Sequence, residues 1–276
     1  MKNMLKDNYS FEDLVEIMAL LRSGNGCPWD REQTHESLKK YLIEETYEVL
    51  EAIDLKDKDK LCEELGDLLL QILFHAQIAS ENGQFDIGSV ITGISRKMVS
   101  RHTHVFGTDK AETADEVIDN WEKIKKKEKR AENQTKVLKD VPSNFPALMR
   151  SYKVQEKAAQ VGFDWEKAED AFKKVEEEIQ ELKDVYTGKN VERITDEMGD
   201  AFFALVNVCR FVNVNPELAL TGTTEKFIKR FEYIEQQAAK EGKKLEEMTL
   251  AEMDKLWDRA KIQISKERQE RRDEKE

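Results

Sequence analysis

The sequence carries the same two acidic motifs twice, and this duplication constrains the fold most. Glu-Glu-x-x-Glu begins at residues 44 and 177, and Glu-x-Gly-Asp begins at residues 64 and 197, so both recur after 133 residues. Lys-x-x-x-Arg at 97 and 226 and Trp-x-x-x-Lys at 121 and 257 follow in the same order. A repeat of this length indicates a duplicated domain, because solenoid units are about 20–50 residues long.

Local patterns predict that both domains are helical. The chain has 12 Gly and 4 Pro among 276 residues and is 37% charged, a composition typical of helices. An apolar i, i+3, i+4, i+7 stripe after Ser10 predicts the first helix. Further helices are predicted at 35–53, 58–82, 86–101, 114–130, 148–160, 165–187, 190–212, 216–241 and 249–271. We therefore expect an all-α protein with an N-terminal domain at 1–130, a Pro-containing linker at 131–147 and a C-terminal domain at 148–276.

Several classes of protein are disfavoured by composition. The sequence has no run of 18 apolar residues, so a membrane span is not expected, and the first eleven residues lack the apolar core of a secretion signal. The three cysteines are far apart without a Cys-x-x-Cys pair, which is typical of reduced thiols in a cytoplasmic protein. A net charge of −12 argues against general nucleic-acid binding. Because of this negative charge, binding of a polyphosphate ligand would require a metal ion or a local group of cationic side chains.

The acidic residues have a spacing that suits metal binding. Residues three apart share one helix face, so each motif presents two carboxylates together. The fifteen residues between the pairs allow the chain to turn and return antiparallel, which would bring four carboxylates together in each repeat. Such a cluster repels itself unless it is protonated or binds cations, and all-oxygen ligands suit Mg²⁺ or Mn²⁺. The candidate ligands are Glu45, Glu48, Glu64 and Asp67 in the first repeat, and Glu178, Glu181, Glu197 and Asp200 in the second.

Each motif also has a plain structural interpretation. One acidic pair on a charged helix is usually a solvated face, but duplicated pairs at equal separation favour function. Gly66 and Gly199 indicate either tight helix packing or room beside the metals. Lys226 and Arg230 could hold phosphate or lie on the surface, and Trp257 could stack a base or belong to the core. The sequence lacks phosphate-binding Gly-rich loops, and no motif pairs Glu with His as di-iron bundles do.

With their flanking segments, these motifs resemble the MazG family of the all-α NTP pyrophosphatase group. The flanks are Gly-Cys-Pro-Trp-Asp at 26–30, Arg-His-x-His-Val-Phe-Gly at 101–107 and Val-Gly-Phe-Asp-Trp at 161–165, and the resemblance covers essentially the whole chain. It implies helical bundles that pair in a homodimer, Mg²⁺ (with Mn²⁺ as a substitute) on the eight carboxylates, and cleavage of NTPs or dNTPs to the monophosphate and pyrophosphate. The positions that it places near the nucleotide are Lys174, Arg193, Lys226, Arg230, Trp257 and Lys261.

The resemblance is accompanied by two departures. Arg193 stands where a Lys can occur, and the first repeat has Tyr41 where the second has Lys174.

The expected reaction is attack of an activated water on the α-phosphorus. Glu178, as a metal ligand, and the neighbouring Glu177, which could orient or deprotonate the water, are the candidate catalytic residues. The role could be house-cleaning or alarmone-related. Two other hypotheses stay open: a non-catalytic metal-dependent nucleotide or alarmone sensor, and a helical scaffold with acidic surface pairs. Burial of Asp200 would exclude the scaffold.

Overall fold

The structure is a computed structural model that describes residues 5–114, 116–118, 120, 121, 124 and 133–273. The chain divides into two compact units, Met1–Arg130 and Ala131–Glu276. All regular secondary structure in the described ranges is helical, so the all-α prediction is confirmed. None of the described helices is long and apolar enough to cross a membrane.

The helices of the first unit begin where short polar side chains can cap them. Ser10 and Asp13 form a capping box, and Asp57 caps another helix by accepting from two backbone N–H groups. Lys56, in the left-handed region at φ 56°, turns the chain sharply between two long helices. The helices are α1 (Phe11–Arg22), α2 (Pro28–Glu32), α3 (His35–Leu55), α4 (Lys58–Glu81), α5 (Ile87–Arg101) and α6 (Thr103–Phe106).

The core of the first unit lies between α1, α3 and α4. Met18 of α1, Leu38 of α3, and Leu73, Phe74 and Ile78 of α4 form one buried apolar cluster. Because α3 and α4 are joined by only two residues, they run antiparallel and pack along their lengths. This pairing positions the acidic motifs of the first repeat.

The second unit repeats the antiparallel pair and adds a second pair. Its helices are α7 (Gln134–Lys139), α8 (Ala147–Ala159), α9 (Ala168–Val185), α10 (Val191–Phe211), α11 (Pro216–Lys240) and α12 (Leu250–Asp273), with a short 3₁₀ helix at Leu245–Glu247. α9 packs on α10, and α8 contacts α10. The Gln155 amide donates to the carbonyl of Phe203 at 2.8 Å across that contact. α11 and α12 enclose Ile234, Ala238, Met248 and Leu256.

Part of the predicted linker belongs to the second unit. Residues Gln134–Lys139 form α7, and the Gln134 amide donates to the carbonyl of Lys157 on α8 at 2.6 Å. Val141, just before the first linker proline, is buried. The prolines indicated a break in the helical pattern, whereas the buried Val141 and the Gln134 contact show that this segment is part of the second unit.

The dense apolar residues around Glu64 and Glu197 are typical of mostly buried helices, but α4 and α10 are less buried than this pattern predicts. α4 leaves Leu65 and Ile72 exposed, and α10 leaves Phe202, Phe203 and Leu205 exposed. Each helix packs on its neighbours within its own unit along one side and presents apolar side chains elsewhere.

Arg22 joins three parts of the first unit. Its side chain is 7% exposed and its guanidinium donates to both Glu81 oxygens, at 2.7 Å for the shortest contact. It also donates to the carbonyls of Asp30 and Gln33, at 3.2 Å for the latter. The ends of α1, α2 and α4 are thus held by one cation. Gly26 lies in the turn after α1, where a Cβ would overlap the carbonyl oxygens of Leu20 and Leu21.

We expect Arg22→Leu to lower the free energy of unfolding by about 2–3 kcal/mol, because several hydrogen bonds to a mostly buried cation are lost. Urea titration followed by circular dichroism measures the change. Lys173→Ala is the control, since its ion pair with Asp170 is exposed and should contribute little to stability. Equal losses in both variants would contradict a special role for Arg22.

The Arg22 contribution should also depend on pH. Hydrogen bonding from Arg22 is the main cause that lowers the pKa of Glu81 below its ordinary value of 4.5. A carboxyl group with a lowered folded-state pKa stabilises above its ordinary pKa, and this contribution is lost as the pH falls. The stability difference between wild type and Arg22→Leu should therefore shrink as the pH falls below 4.5. A difference that grows on acidification would contradict the assignment.

Candidate active site

The acidic motifs of the second unit meet where α9 packs on α10. Glu178 of α9 and Glu197 and Asp200 of α10 each offer a carboxylate oxygen, and these oxygens lie within 4.8 Å of one another. Glu178 is 6% exposed, and its Oε2 is buried without a hydrogen-bond partner among the described residues. A buried carboxylate oxygen in this state is costly unless a cation or donor binds it.

Glu181, the fourth predicted ligand of this repeat, borders the same cluster from α9. Partial desolvation raises the pKa of Glu181, and the charges of Glu178 and Glu197 raise it further. Asp200 is exposed, so this residue does not exclude the hypothesis that the chain is only a helical scaffold. The burial lies at Glu178 instead, which argues equally against a purely decorative surface cluster.

The first unit builds the same arrangement from α3 and α4. Oxygens of Glu45, Glu48 and Glu64 lie within 4.8 Å of one another, and Glu64 is 8% exposed. Desolvation raises the pKa of Glu45, as do the charges of Asp67 and Glu48. Asp67 therefore lies close enough to repel Glu45. Both repeats bring all four predicted ligands into one neighbourhood, with mutual repulsion that a divalent cation would relieve.

Cations accompany the carboxylates in the second unit. Lys174 Nζ lies 2.6 Å from oxygens of both Glu177 and Glu178. These hydrogen bonds, Glu177 first, hold the pKa of Lys174 well above its ordinary value, so its ammonium stays charged. Arg193 Nε lies 3.7 Å from Glu197 Oε1, with most of the Arg193 side chain exposed. Glu177 itself is exposed beside Lys174.

The remaining predicted nucleotide residues lie on α11 and α12. The Arg230 guanidinium lies over the Trp257 ring at 5.2 Å, and Phe227 contacts the same ring at 5.0 Å. Trp257 also packs against the core between α11 and α12, so it supports Arg230 as part of that core. Lys226 is half-buried on α11. Lys261 Nζ lies 2.9 Å from Asp258 on α12.

The described contacts form two separate groups in the second unit. Within the described ranges, no ion pair joins Lys226 or Arg230 to the carboxylates, and the observed contact of Arg230 is with Trp257. In the first unit, Trp121 contacts His102 at 4.8 Å, whereas Lys125, expected to follow Trp121, lies outside the described residues.

The two mid-helix glycines are not explained by tight packing. A Cβ built at Gly66 or Gly199 meets no heavy atom within 4 Å in the described structure. Of the two interpretations left open by the sequence, tight packing within the chain is therefore disfavoured. The open space beside both carboxylate clusters is available to a ligand or to another chain.

Sequence reasoning missed several polar contacts of the first unit. No motif connects His35 with His75 in the sequence, yet their Nδ1 atoms lie 2.8 Å apart and their rings are nearly parallel. Gln71 is buried with its Oε1 unpartnered. Trp29 contacts Tyr41 and Phe74 edge-on. The antiparallel register implied by the acidic motifs could have indicated the histidine pair, because it brings the start of α3 to the second half of α4.

The fold and the two clusters define a class: tandem all-α units that each gather carboxylates on an antiparallel helix pair. The family model of the MazG nucleotide pyrophosphohydrolase domain matches residues 33–106 and 166–234. The Thermotoga maritima protein called nucleoside triphosphate pyrophosphohydrolase/pyrophosphatase MazG is 47% identical over 251 residues, 91% of this chain and 95% of that protein. The chain belongs to the MazG family.

Two further relatives match a similar share of this chain. The nucleoside triphosphate pyrophosphohydrolase of Escherichia coli K12 is 42% identical over 253 residues, 91% of this chain and 96% of that protein. The Bacillus subtilis protein YabN is 53% identical over 254 residues, 92% of this chain. This chain spans about half of YabN, 52% of its length.

Proposed function

We propose that the chain is a Mg²⁺-dependent nucleoside triphosphate pyrophosphohydrolase that releases the monophosphate and pyrophosphate from NTPs or dNTPs. The main support is the meeting of Glu178, Glu197 and Asp200 within 4.8 Å, with Lys174 at 2.6 Å from Glu178. This arrangement combines an all-oxygen metal site with a cation that can face phosphate. The names of two relatives that cover most of the chain support the same activity.

The donor set fits Mg²⁺, with Mn²⁺ as a substitute. The carboxylates come from two helices, and the unpartnered Oε2 of Glu178 provides a buried acceptor that a hard cation would satisfy. Glu178, Glu181, Glu197 and Asp200 would hold the metal in the second unit. Glu45, Glu48, Glu64 and Asp67 would hold it in the first. When bound, Mg²⁺ would neutralise phosphate charge and make a water molecule a stronger nucleophile near neutral pH.

The chain's own residues would bind the triphosphate and move a proton. Lys174 and Arg193 stand beside the carboxylates, where their cations can bind phosphate oxygens. Glu177 would accept the proton of the attacking water, since its exposed carboxylate adjoins the cluster. The water adds to the α-phosphorus as the bond to the bridging oxygen breaks. Lys226 and Arg230, supported by Trp257, would then stabilise the departing pyrophosphate.

Chelation should abolish turnover, and the products should report the bond that is cut. We expect EDTA to stop pyrophosphate release from a mixture of NTPs and dNTPs, and Mg²⁺ or Mn²⁺ to restore it.

Chromatography should show the monophosphate and pyrophosphate, because attack occurs at the α-phosphorus. Full activity in chelator would contradict the metal, and a diphosphate with orthophosphate would contradict the site of attack. Metal-dependent binding without turnover would instead support the sensor hypothesis.

The second unit should carry most of the turnover. Tyr41 stands where the second unit has Lys174, and loss of one phosphate-facing cation costs about 1.5–3 kcal/mol, a ten- to hundredfold lower rate. We expect Glu178→Gln with Glu181→Gln to remove most pyrophosphate release. The matched control, Glu45→Gln with Glu48→Gln, should retain most of it. The opposite order of activities would reverse the assignment.

A homodimer is proposed from the exposed apolar surface of the second unit. Phe202 and Phe203 of α10 and Phe227 and Phe231 of α11 are all exposed in the single chain. Several large apolar side chains exposed on the helices of one unit are typical of interfaces. We expect sedimentation at micromolar concentration to give the mass of two chains, and Phe202→Asp to shift the mass toward one. A wild-type monomer at that concentration would contradict the proposal.

Two expectations from composition stay predictions. The cytoplasmic location rests on the spacing of the cysteines, and the absence of general nucleic-acid binding rests on the net charge of −12.

A further inference from the structure

The first unit keeps the carboxylate cluster but changes the layer of side chains next to it. Contacts between α3 and α4 set their register: Glu48 lies beside Glu64, and Glu45 beside Asp67. Gln71 follows Asp67 by one helical turn. Tyr41 precedes Glu45 by one turn, on the same face of α3. Both residues therefore belong to the layer adjoining the cluster.

Gln71 carries a buried side-chain oxygen that lacks a hydrogen-bond partner in the described part of the chain. It is 7% exposed, and its Oε1 forms no hydrogen bond with any described residue. A buried amide oxygen left in this state is destabilising, so its retention beside the cluster points to a donor supplied by a ligand. The matching position in the second unit, one turn after Asp200, holds the buried Ala204. The layer is thus Lys174 with Ala204 in one unit and Tyr41 with Gln71 in the other.

The charge balance also differs between the units. In the second unit, Lys174 and Arg193 both contact cluster carboxylates. In the first, Lys60 Nζ lies 2.5 Å from Glu51 and its charge also acts on Glu64 and Glu48, whereas Tyr41 replaces Lys174 and has the Lys40 ammonium over its ring at 4.4 Å. The first unit thus has one cation fewer beside its cluster than the second, and it is less able to offset the charge of a triphosphate. A monophosphate, with about −2 charge, is the better match.

An aromatic surface stands beside the same layer. The Trp29 ring lies 6.0 Å from Tyr41 and 6.4 Å from Phe74, and Trp29 is 50% exposed. Two neighbouring rings hold Trp29 edge-on, so an exposed part of its surface is available to a nucleobase. Stacking on an aromatic ring tolerates any base because every base has a π-face.

We propose that the first unit is a divalent-metal-dependent binding site for a nucleoside monophosphate, with Gln71 and Tyr41 donating to or accepting from the ligand and Trp29 contacting its base. The ligand would be the product of the second unit, and this assignment rests on the proposed function.

The direct test is calorimetry on the full chain with the second site disabled by Glu178→Gln and Glu181→Gln. The probes are AMP, GMP, CMP and UMP and the four corresponding triphosphates, each with and without Mn²⁺. We expect Mn²⁺-dependent binding of at least one monophosphate, about tenfold or more tighter than its triphosphate, and its loss when Glu45→Gln and Glu48→Gln are added. Absence of monophosphate binding, or tighter triphosphate binding, would overturn the proposal.

Two substitutions in that background test the changed layer. Gln71→Leu should keep the fold, since it replaces an unpaired buried amide by an apolar side chain of similar size, and should weaken monophosphate binding about tenfold. Tyr41→Lys should shift the preference toward the triphosphate by restoring the cation of the second unit. If Gln71→Leu fails to fold, the ratio of monophosphate to triphosphate affinity in Tyr41→Lys tests the proposal alone. An unchanged ratio in Tyr41→Lys, or unchanged affinity in folded Gln71→Leu, would overturn the assignment.

Turnover by the wild-type chain separates the two proposals. Pyrophosphate release without monophosphate binding in the disabled chain would refute only the first-unit site. Monophosphate binding without any pyrophosphate release would refute the proposed enzyme activity and, with it, the assignment of the ligand as its product.

Discussion

The repulsion among carboxylates on paired antiparallel helices is the constraint on which the rest of the structure depends. Glu178 and Glu64 are held nearly buried, in close reach of other acidic groups, by helices that cannot separate without losing their packing. This arrangement stores unfavourable electrostatic energy that a divalent cation would release on binding. On the proposed function, a chain with net charge −12 would bind polyphosphate locally, because a bound metal and nearby Lys or Arg would reverse the sign of the charge at the site.

Duplication has kept this constraint and changed its surroundings. The helix pairs, their short connections and the acidic spacing are the same in both units, since they determine where the carboxylates meet. The adjoining layer is less restricted because Lys174 is only half-buried and Tyr41 is partly covered by Trp29. One layer can thus exchange a cation for neutral polar groups without rebuilding either bundle.

Local signals made most of the fold predictable, and tertiary packing accounts for the rest. The Ser10–Asp13 capping box and the acidic spacing depend on residues three or four apart, so the sequence contains them directly. The exposure of Asp200 and the burial of Gln71 depend on how far each helix rotates against its neighbours, which periodicity does not specify. Short helices such as Gln134–Lys139 were not predicted from the sequence, because one or two turns give no clear apolar period.

The apolar cores also fix the positions of the polar groups. Leu38 and Phe74 pack along the same α3–α4 pair that carries the first cluster, and Trp257 belongs to the core of α11 and α12 while its ring supports Arg230. Side chains locked by such packing lose little conformational entropy when a ligand binds. Core substitutions near these positions should therefore change ligand affinity as well as stability, whereas substitutions at exposed ion pairs such as Lys173 with Asp170 should change neither appreciably. The residues proposed to bind ligands thus stand on the same helices that form the packed cores.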